Sequence, residues 1–262
     1  MDSNVIIITI VAILLASVAF FLFQQNTNTV SIPGLAKQSN KQPTFIIAGL
    51  SNSGKTTLFN SLTIKNGFKM STVTSQEPNI RTNFKLPLVG NESDIPQLSF
   101  KLVECPGHQK LHNFVYDEIK NSSSIRGLIY MIDSTLDPKK MVESAKFLYE
   151  ILTRTERKAN GVDILIACNK SDQFSSRQVK TIKQILETEI DNYRKLSVSN
   201  ISKSNEDGTD FDDDETKQLS VSLNDQFNFE KLEGHIHISN GSVLKNKIES
   251  WTNWIDERVV NP

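Results

Sequence analysis

The sequence predicts an α/β fold, a doubly wound and mainly parallel sheet, preceded by a single transmembrane helix. Three observations predict it. Short apolar runs rich in β-branched residues alternate with amphipathic helical stretches along most of the chain, the pattern of a parallel sheet covered by helices. The residues with recognisable chemistry fall at the carboxyl ends of those runs, where open α/β sheets bind ligands. The segment Val5 to Phe23 is apolar and carries no charge.

Composition sets the limits. The chain has 262 residues, with 29 Lys and Arg against 30 Asp and Glu and a net charge of -1. That balance excludes a nucleic-acid binder driven by bulk charge, and no direct nucleic-acid partner is expected. Two cysteines, Cys105 and Cys168, exclude a disulfide-stapled scaffold and suit a reducing compartment. They read as packed thiols. The four histidines, at 108, 112, 235 and 237, lack a second cluster of Cys or carboxylates, so no zinc site is expected. An apolar share of 38% is enough for a core.

The elements follow in order. Val5 to Phe23, VIIITIVAILLASVAFFLF, would form a helix roughly 28 Å long, close to a hydrocarbon core of about 30 Å. Asp2 is the one charged side chain before it, so the positive n-region of a cleaved signal peptide is missing. Its apolarity on all sides argues against a core helix. Lys37 and Lys41 beyond the span lean towards a cytosolic C-terminal part. Residues 1–23 thus read as an anchor. Residues 24–42, with Pro33 and Gly34, read as a polar linker, and 43–262 as the folded domain.

Thr44 to Ala48 reads as a buried strand and is followed by GLSNSGKT, then by a helix with Leu58, Phe59 and Leu62 inward. Ile80 to Val89 alternates Ile80, Thr82, Phe84, Leu86 and Leu88, which predicts a half-exposed strand, and Leu98 to Val103 predicts another. Gly127 to Ile132 is a buried strand ended by Asp133; Lys139 to Arg154 is a helix after Pro138; Val162 to Cys168 is a strand; Ser176 to Tyr193 is a helix. A short strand, His235 to Ile238, precedes a last helix, Ser242 to Val259, with Leu244, Ile248, Trp251 and Ile255 inward. Trp254 falls off that stripe, so core, partner and lipid surface all remain open for it. The 66 residues between Asp172 and Ser239 exceed what a helix and return strand need. The excess, about 196–233, contains DFDDDE and reads as a solvated acidic insertion.

The first motif is a phosphate loop, G-x-x-x-x-G-K-[ST], in its required strand–loop–helix context. Gly49 and Gly54 let the backbone bend, and Leu50, Ser51, Asn52, Ser53 and Thr57 complete a run of backbone N–H groups facing an anion. Lys55 supplies charge between the outer phosphates, and the Thr56 hydroxyl suits Mg2+. The second motif, Asn169-Lys170-Ser171-Asp172, makes the nucleotide specific. A carboxylate in the ring plane accepts from both N1 and the 2-amino group of guanine, which adenine does not offer together, so Asp172 selects GTP and GDP. The Lys170 stem can cover the base with its charge left in water. Asn169 can tie this loop to the phosphate loop, and Ser239 can reach the base oxygen.

These motifs resemble those of the P-loop GTPases over roughly Pro43 to Val259. The resemblance implies that Glu104, in place of the usual Asp, reaches Mg2+ through a water, and that Gly107 senses the terminal phosphate. It places His108 where a catalytic residue orients the attacking water. It implies a switch hydroxyl among Thr72, Thr74 and Ser75, of which Thr74 is the choice. Asn240 stands where the family's base loop has Ala. The N-terminal span, linker, phosphate loop, ECPGH stretch and C-terminal helix together resemble the signal recognition particle receptor beta-subunit family. That likeness implies a single-pass protein of the endoplasmic reticulum with a cytosolic domain, binding the receptor's alpha subunit in the GTP state for co-translational targeting. The interface would lie around Thr74 and His108 to Phe114, with Val5–Phe23 in the bilayer. Hydrolysis would be slow or partner-dependent. The alternative is a self-sufficient small-GTPase-like enzyme cycling in vesicle traffic.

Overall fold

In a computed structural model, the structure describes residues 42–64, 67, 70–86, 98–204 and 225–260, all within the compact unit Ser39–Pro262. The expected span Val5–Phe23, nearly all of the linker and the centre of the acidic insertion lie outside the described residues. Among the described residues no helix is long and apolar enough to cross a membrane.

The chain forms β1 (Thr44–Gly49), α1 (Lys55–Thr63), β2 (Asn79–Leu86), β3 (Leu98–Glu104), α2 (Asn113–Asn121), β4 (Ile125–Asp133), α3 (Pro138–Thr155), β5 (Ile164–Asn169), α4 (Val179–Ser204), β6 (Ile236–Asn240) and α5 (Glu249–Val260). The six strands make one sheet in the order β2-β3-β1-β4-β5-β6. Only β2 runs antiparallel to its neighbour; the other pairings are parallel. The right-handed crossover rule then distributes the helices over both faces. Alternate residues of β1 serve opposite faces. Ile46 and Ala48 join Val103, Tyr130 and Ile166 under α2, α3 and α4. Phe45 and Ile47 join Leu102, Met131 and Leu165 under α1 and α5. All six residues of β1 are buried, which is why its sequence is apolar without alternation.

Local chemistry explains the element ends. Asp137 caps α3, its carboxylate accepting from the Lys140 N–H at 2.9 Å, with Pro138 in the first turn. Four sequence expectations need correction. The alternation expected from Ile80 to Leu88 is broken: the β2–β3 register shifts between Arg81 and Phe84, and Asn83 has φ 57°. This bulge reverses the facing of the earlier residues, so Phe84 and Leu86 are buried while Ile80 is 53% exposed. The helix expected to end at Tyr193 continues to Ser204, into the segment read as insertion. On the return, Phe227 and Phe229 are core residues held edge to face. Arg194 and Asp191 fasten that return: the Arg194 guanidinium donates to the Asp225 carbonyl, and the Phe227 N–H donates to Asp191 at 3.1 Å. Finally, α5 starts at Glu249, leaving Leu244 exposed. Of the places left open for Trp254, it takes the core, packed against Gly127.

Candidate functional site

The carboxyl ends of β1, β3 and β5 open onto one cavity of about 510 Å3. Ser51, Asn52, Gly54, Lys55, Thr56 and Thr57 form its floor; Glu104 and Gly107, then Asn169, Lys170 and Asp172, form its walls. Two loop turns set the floor. Gly49 has φ 139°, and a β-carbon there would meet the Met131 carbonyl oxygen at 2.3 Å. Gly54 has φ 99° directly before α1, so the first N–H groups of that helix face the cavity without a side-chain cap.

Lys55 is buried, and its ammonium donates to the Leu50 carbonyl at 2.8 Å. Burial lowers its pKa to about 8, against the opposing pull of Glu104. An anion placed beside it would restore the full charge. Ser53 Oγ is buried with no partner among the described residues. An under-solvated ammonium beside uncapped helix N–H groups suits phosphate oxygens.

Three oxygen donors converge next to it. Thr56 Oγ1 donates to Glu104 Oε1 at 3.1 Å and lies 3.2 Å from Ser75 Oγ. Ser75 Oγ lies 3.4 Å from Glu104 Oε2, which also accepts from Asn79 Nδ2. Hydroxyl and carboxylate oxygens in this grouping are hard ligands that suit Mg2+. Thr74 lines the cavity, but the hydroxyl that meets Thr56 and Glu104 is that of Ser75. The Thr72 hydroxyl is 3.5 Å from that of Thr57.

Gly107 sits tightly over the phosphate loop. Its carbonyl accepts from the Ser51 N–H at 3.1 Å, and a β-carbon there would stand 2.4 Å from Lys55 Nζ. His108 follows directly. It is exposed, does not line the cavity, and accepts from the Lys110 N–H at 3.3 Å as the cap of a short 3-10 turn, Gln109–Leu111. His112 is the buried histidine, stacked on Phe147 with centroids 3.5 Å apart, and burial lowers its pKa. Cys105 and Cys168 are buried and reduced, and burial raises both thiols, that of Cys168 to about 12.

At the base end Asn169 bridges two loops. Its amide donates to the Ser53 carbonyl at 2.9 Å and accepts from the Val243 N–H at 3.1 Å. Asp172 is exposed at the cavity mouth. Ser239 does not line the cavity. It lies within β6 opposite Ala167, 3.5 Å from the Ser250 hydroxyl, and Ser242, Val243 and Leu244 occupy the position expected for it. The strand simply runs two residues further than its sequence suggests. The Lys170 ammonium is not left in water: it pairs with Asp133 Oδ2 at 2.6 Å. Burial would raise the Asp133 carboxyl, but Lys170 and Thr135 donate to it and hold it below the usual range. From sequence alone Asp133 is a strand terminator. Its position at the end of a parallel strand was the available signal.

The family model described as signal recognition particle receptor beta subunit matches residues 40–236. The signal recognition particle receptor subunit beta of Saccharomyces cerevisiae is 38% identical over 265 residues, covering 99% of this chain and 100% of that protein. The mouse protein of the same name is 31% identical over 157 residues, covering 60% of this chain and 54% of its own length. Among solved structures, that of the mammalian SRP receptor superposes with a TM-score of 0.66 at 26% identity, covering 82% of this chain and 99% of the other. The SRb-GTP/SRX complex from Chaetomium thermophilum shares the fold, with a TM-score of 0.61 at 21% identity over 83% of this chain and 99% of that one. The chain belongs to the signal recognition particle receptor beta subunit family of P-loop GTPases.

Proposed function

We propose that this chain is a guanine-nucleotide switch that holds a signal recognition particle receptor alpha-type subunit at the endoplasmic reticulum membrane for co-translational targeting. One observation carries the reading. In a chain of this family, Lys55, Thr56 and Glu104 share a single cavity with Asn169 and Asp172. One nucleotide can therefore be gripped at both ends. Lys55 and the N–H groups of Ser51 to Thr57 hold the phosphates, and the Asp172 carboxylate accepts from the guanine edge. Thr56 and Ser75, with Glu104 through water, would hold Mg2+, which when bound neutralises charge on the outer phosphates. A relative solved as a GDP–Mg complex supports the ligand set.

The partner reading rests on the relative solved with GTP and SRX and on the chain's own surface. Val73 is 87% exposed and Met70 47%, on the segment that carries Thr74 and Ser75. Apolar side chains on a segment that touches the metal site suit a docking surface that changes with the nucleotide. With His108 turned to solvent, hydrolysis would wait for a partner to place a catalytic group. Val5–Phe23 serves as the anchor in this reading, with the domain cytosolic.

Affinity purification of the full chain from detergent-solubilised membranes tests the proposal. Guanine nucleotide and one stoichiometric larger subunit should co-purify, the subunit only with GTP. Recovery of the chain alone in GTP, or with adenine nucleotide, would contradict it.

A further inference from the structure

Asp133 ends β4 with its side chain 7% exposed. Neither phosphate binding nor metal binding asks for a carboxylate at this point. Its two oxygens are divided. Oδ1 accepts from the Thr135 N–H at 2.9 Å and from the Thr135 hydroxyl at 2.6 Å. Oδ2 accepts from the Lys170 ammonium at 2.6 Å. The carboxylate is thus fixed by its own loop before it meets Lys170.

Lys170 has two features that call for such a hold. Its backbone has φ 61°, a left-handed conformation that a side-chain-bearing residue adopts at a cost. It also lines the cavity beside Asp172, where a free lysine side chain would sample many rotamers and lose them on ligand binding. The two loops are sewn together around the ion pair. The Ser134 N–H donates to the Asn169 carbonyl at 3.0 Å, and the Arg177 N–H donates to the Ser134 carbonyl at 3.0 Å. The Arg177 guanidinium donates to the Leu136 carbonyl.

We propose that Asp133 is a positioning residue for base recognition: it anchors the Lys170 ammonium so that the lysine stem is extended along the cavity wall before the guanine base arrives. A buried ion pair is weak evidence for stability as such. This one spends its partner on a residue of the ligand wall, and its consequence is preorganisation. The inference rests on reading the cavity as a guanine-nucleotide site.

The test uses dissociation of fluorescent GDP and GTP from the full chain in detergent. D133N keeps the shape and removes the charge. Both off-rates should rise on the order of ten-fold, by the same factor, because the base end is common to the two ligands. K170M should raise them similarly, and D133N should add nothing in the K170M background, a coupling that a purely structural role would not produce. Wild-type off-rates in D133N, or an undiminished effect of D133N on top of K170M, would overturn the inference. A wild-type chain that binds no guanine nucleotide would instead overturn the reading of the cavity. Should D133N fail to fold, a crystal structure of the wild-type GDP complex decides. Lys170 Nζ on Asp133 supports the proposal, and Nζ turned to another acceptor overturns it.

Discussion

Replacing Asn169 with Ala removes a side chain that ties the base loop, the phosphate loop and the segment after β6. Asn169 is 4% exposed. Its loss strands the Ser53 carbonyl, now bonded at 2.9 Å, and the Val243 N–H, now bonded at 3.1 Å. A buried group left without its partner costs about 1–3 kcal/mol. Two such groups, with water entering from the open cavity to satisfy part of the loss, give roughly 3 kcal/mol. For a domain of this size that is a fall in Tm of roughly 6–12 °C. The assay is thermal unfolding of a chain beginning at Ser39, without nucleotide, alongside release of fluorescent GDP. Asn169→Asp should fare no better, because it keeps the acceptor for Val243 but sets a carboxylate oxygen against the Ser53 carbonyl. A Tm within about 2 °C of wild type, together with unchanged GDP release, would refute the claim that this side chain assembles the site.

Three further outcomes follow from burial. Lys55 is held at a pKa of about 8 in the free protein, below its ordinary value of 10.5. The unfolded chain therefore binds more protons between those values, and the stability of the nucleotide-free domain should rise with pH across that window. Bound phosphate restores the ammonium, so nucleotide binding near pH 8 should take up about half a proton and weaken as pH climbs above 8. Calorimetry in buffers of different ionisation enthalpy measures this, and a binding heat independent of buffer would contradict it. Trp254 is 3% exposed and lies against Gly127, where a β-carbon would come within 2.7 Å of the indole. Trp254→Ala should cost about 3–5 kcal/mol as a core truncation; a near-neutral change in unfolding free energy would return this residue to the surface.

The parts of the site that were legible in sequence are those made by neighbours in sequence. Gly49 to Thr57 is one turn between a strand and a helix, so spacing alone places its backbone and its lysine. Asn169 to Asp172 is likewise one loop at a strand end. What was not legible depends on long-range contacts. That Ser75 rather than Thr74 stands beside Thr56 and Glu104 depends on two other elements that bring those residues in. Ser239 was misplaced because β6 is held to β5 as far as Asn240, opposite Cys168, and a partner strand two residues longer than its apolar run cannot be read locally. The bulge at Asn83 reversed the facing of Ile80 for the same reason: it is imposed by the register against β3. The ion pair between Asp133 and Lys170 joins two loops 37 residues apart, and only the parallel pairing of β4 with β5, which sets Asp133 opposite Asn169, brings them together.

In a guanine-nucleotide switch built this way, the Asp172 carboxylate reads the guanine edge while Lys55 holds the phosphates of the same molecule. Equilibrium binding of GDP and of xanthosine diphosphate to wild type and to Asp172→Asn tests this most directly. Loss of two charge-assisted bonds should weaken GDP by about 100-fold or more, and the xanthine nucleotide, whose edge offers an acceptor to the new amide, should become the preferred ligand. A variant that still prefers GDP with wild-type affinity would contradict the account.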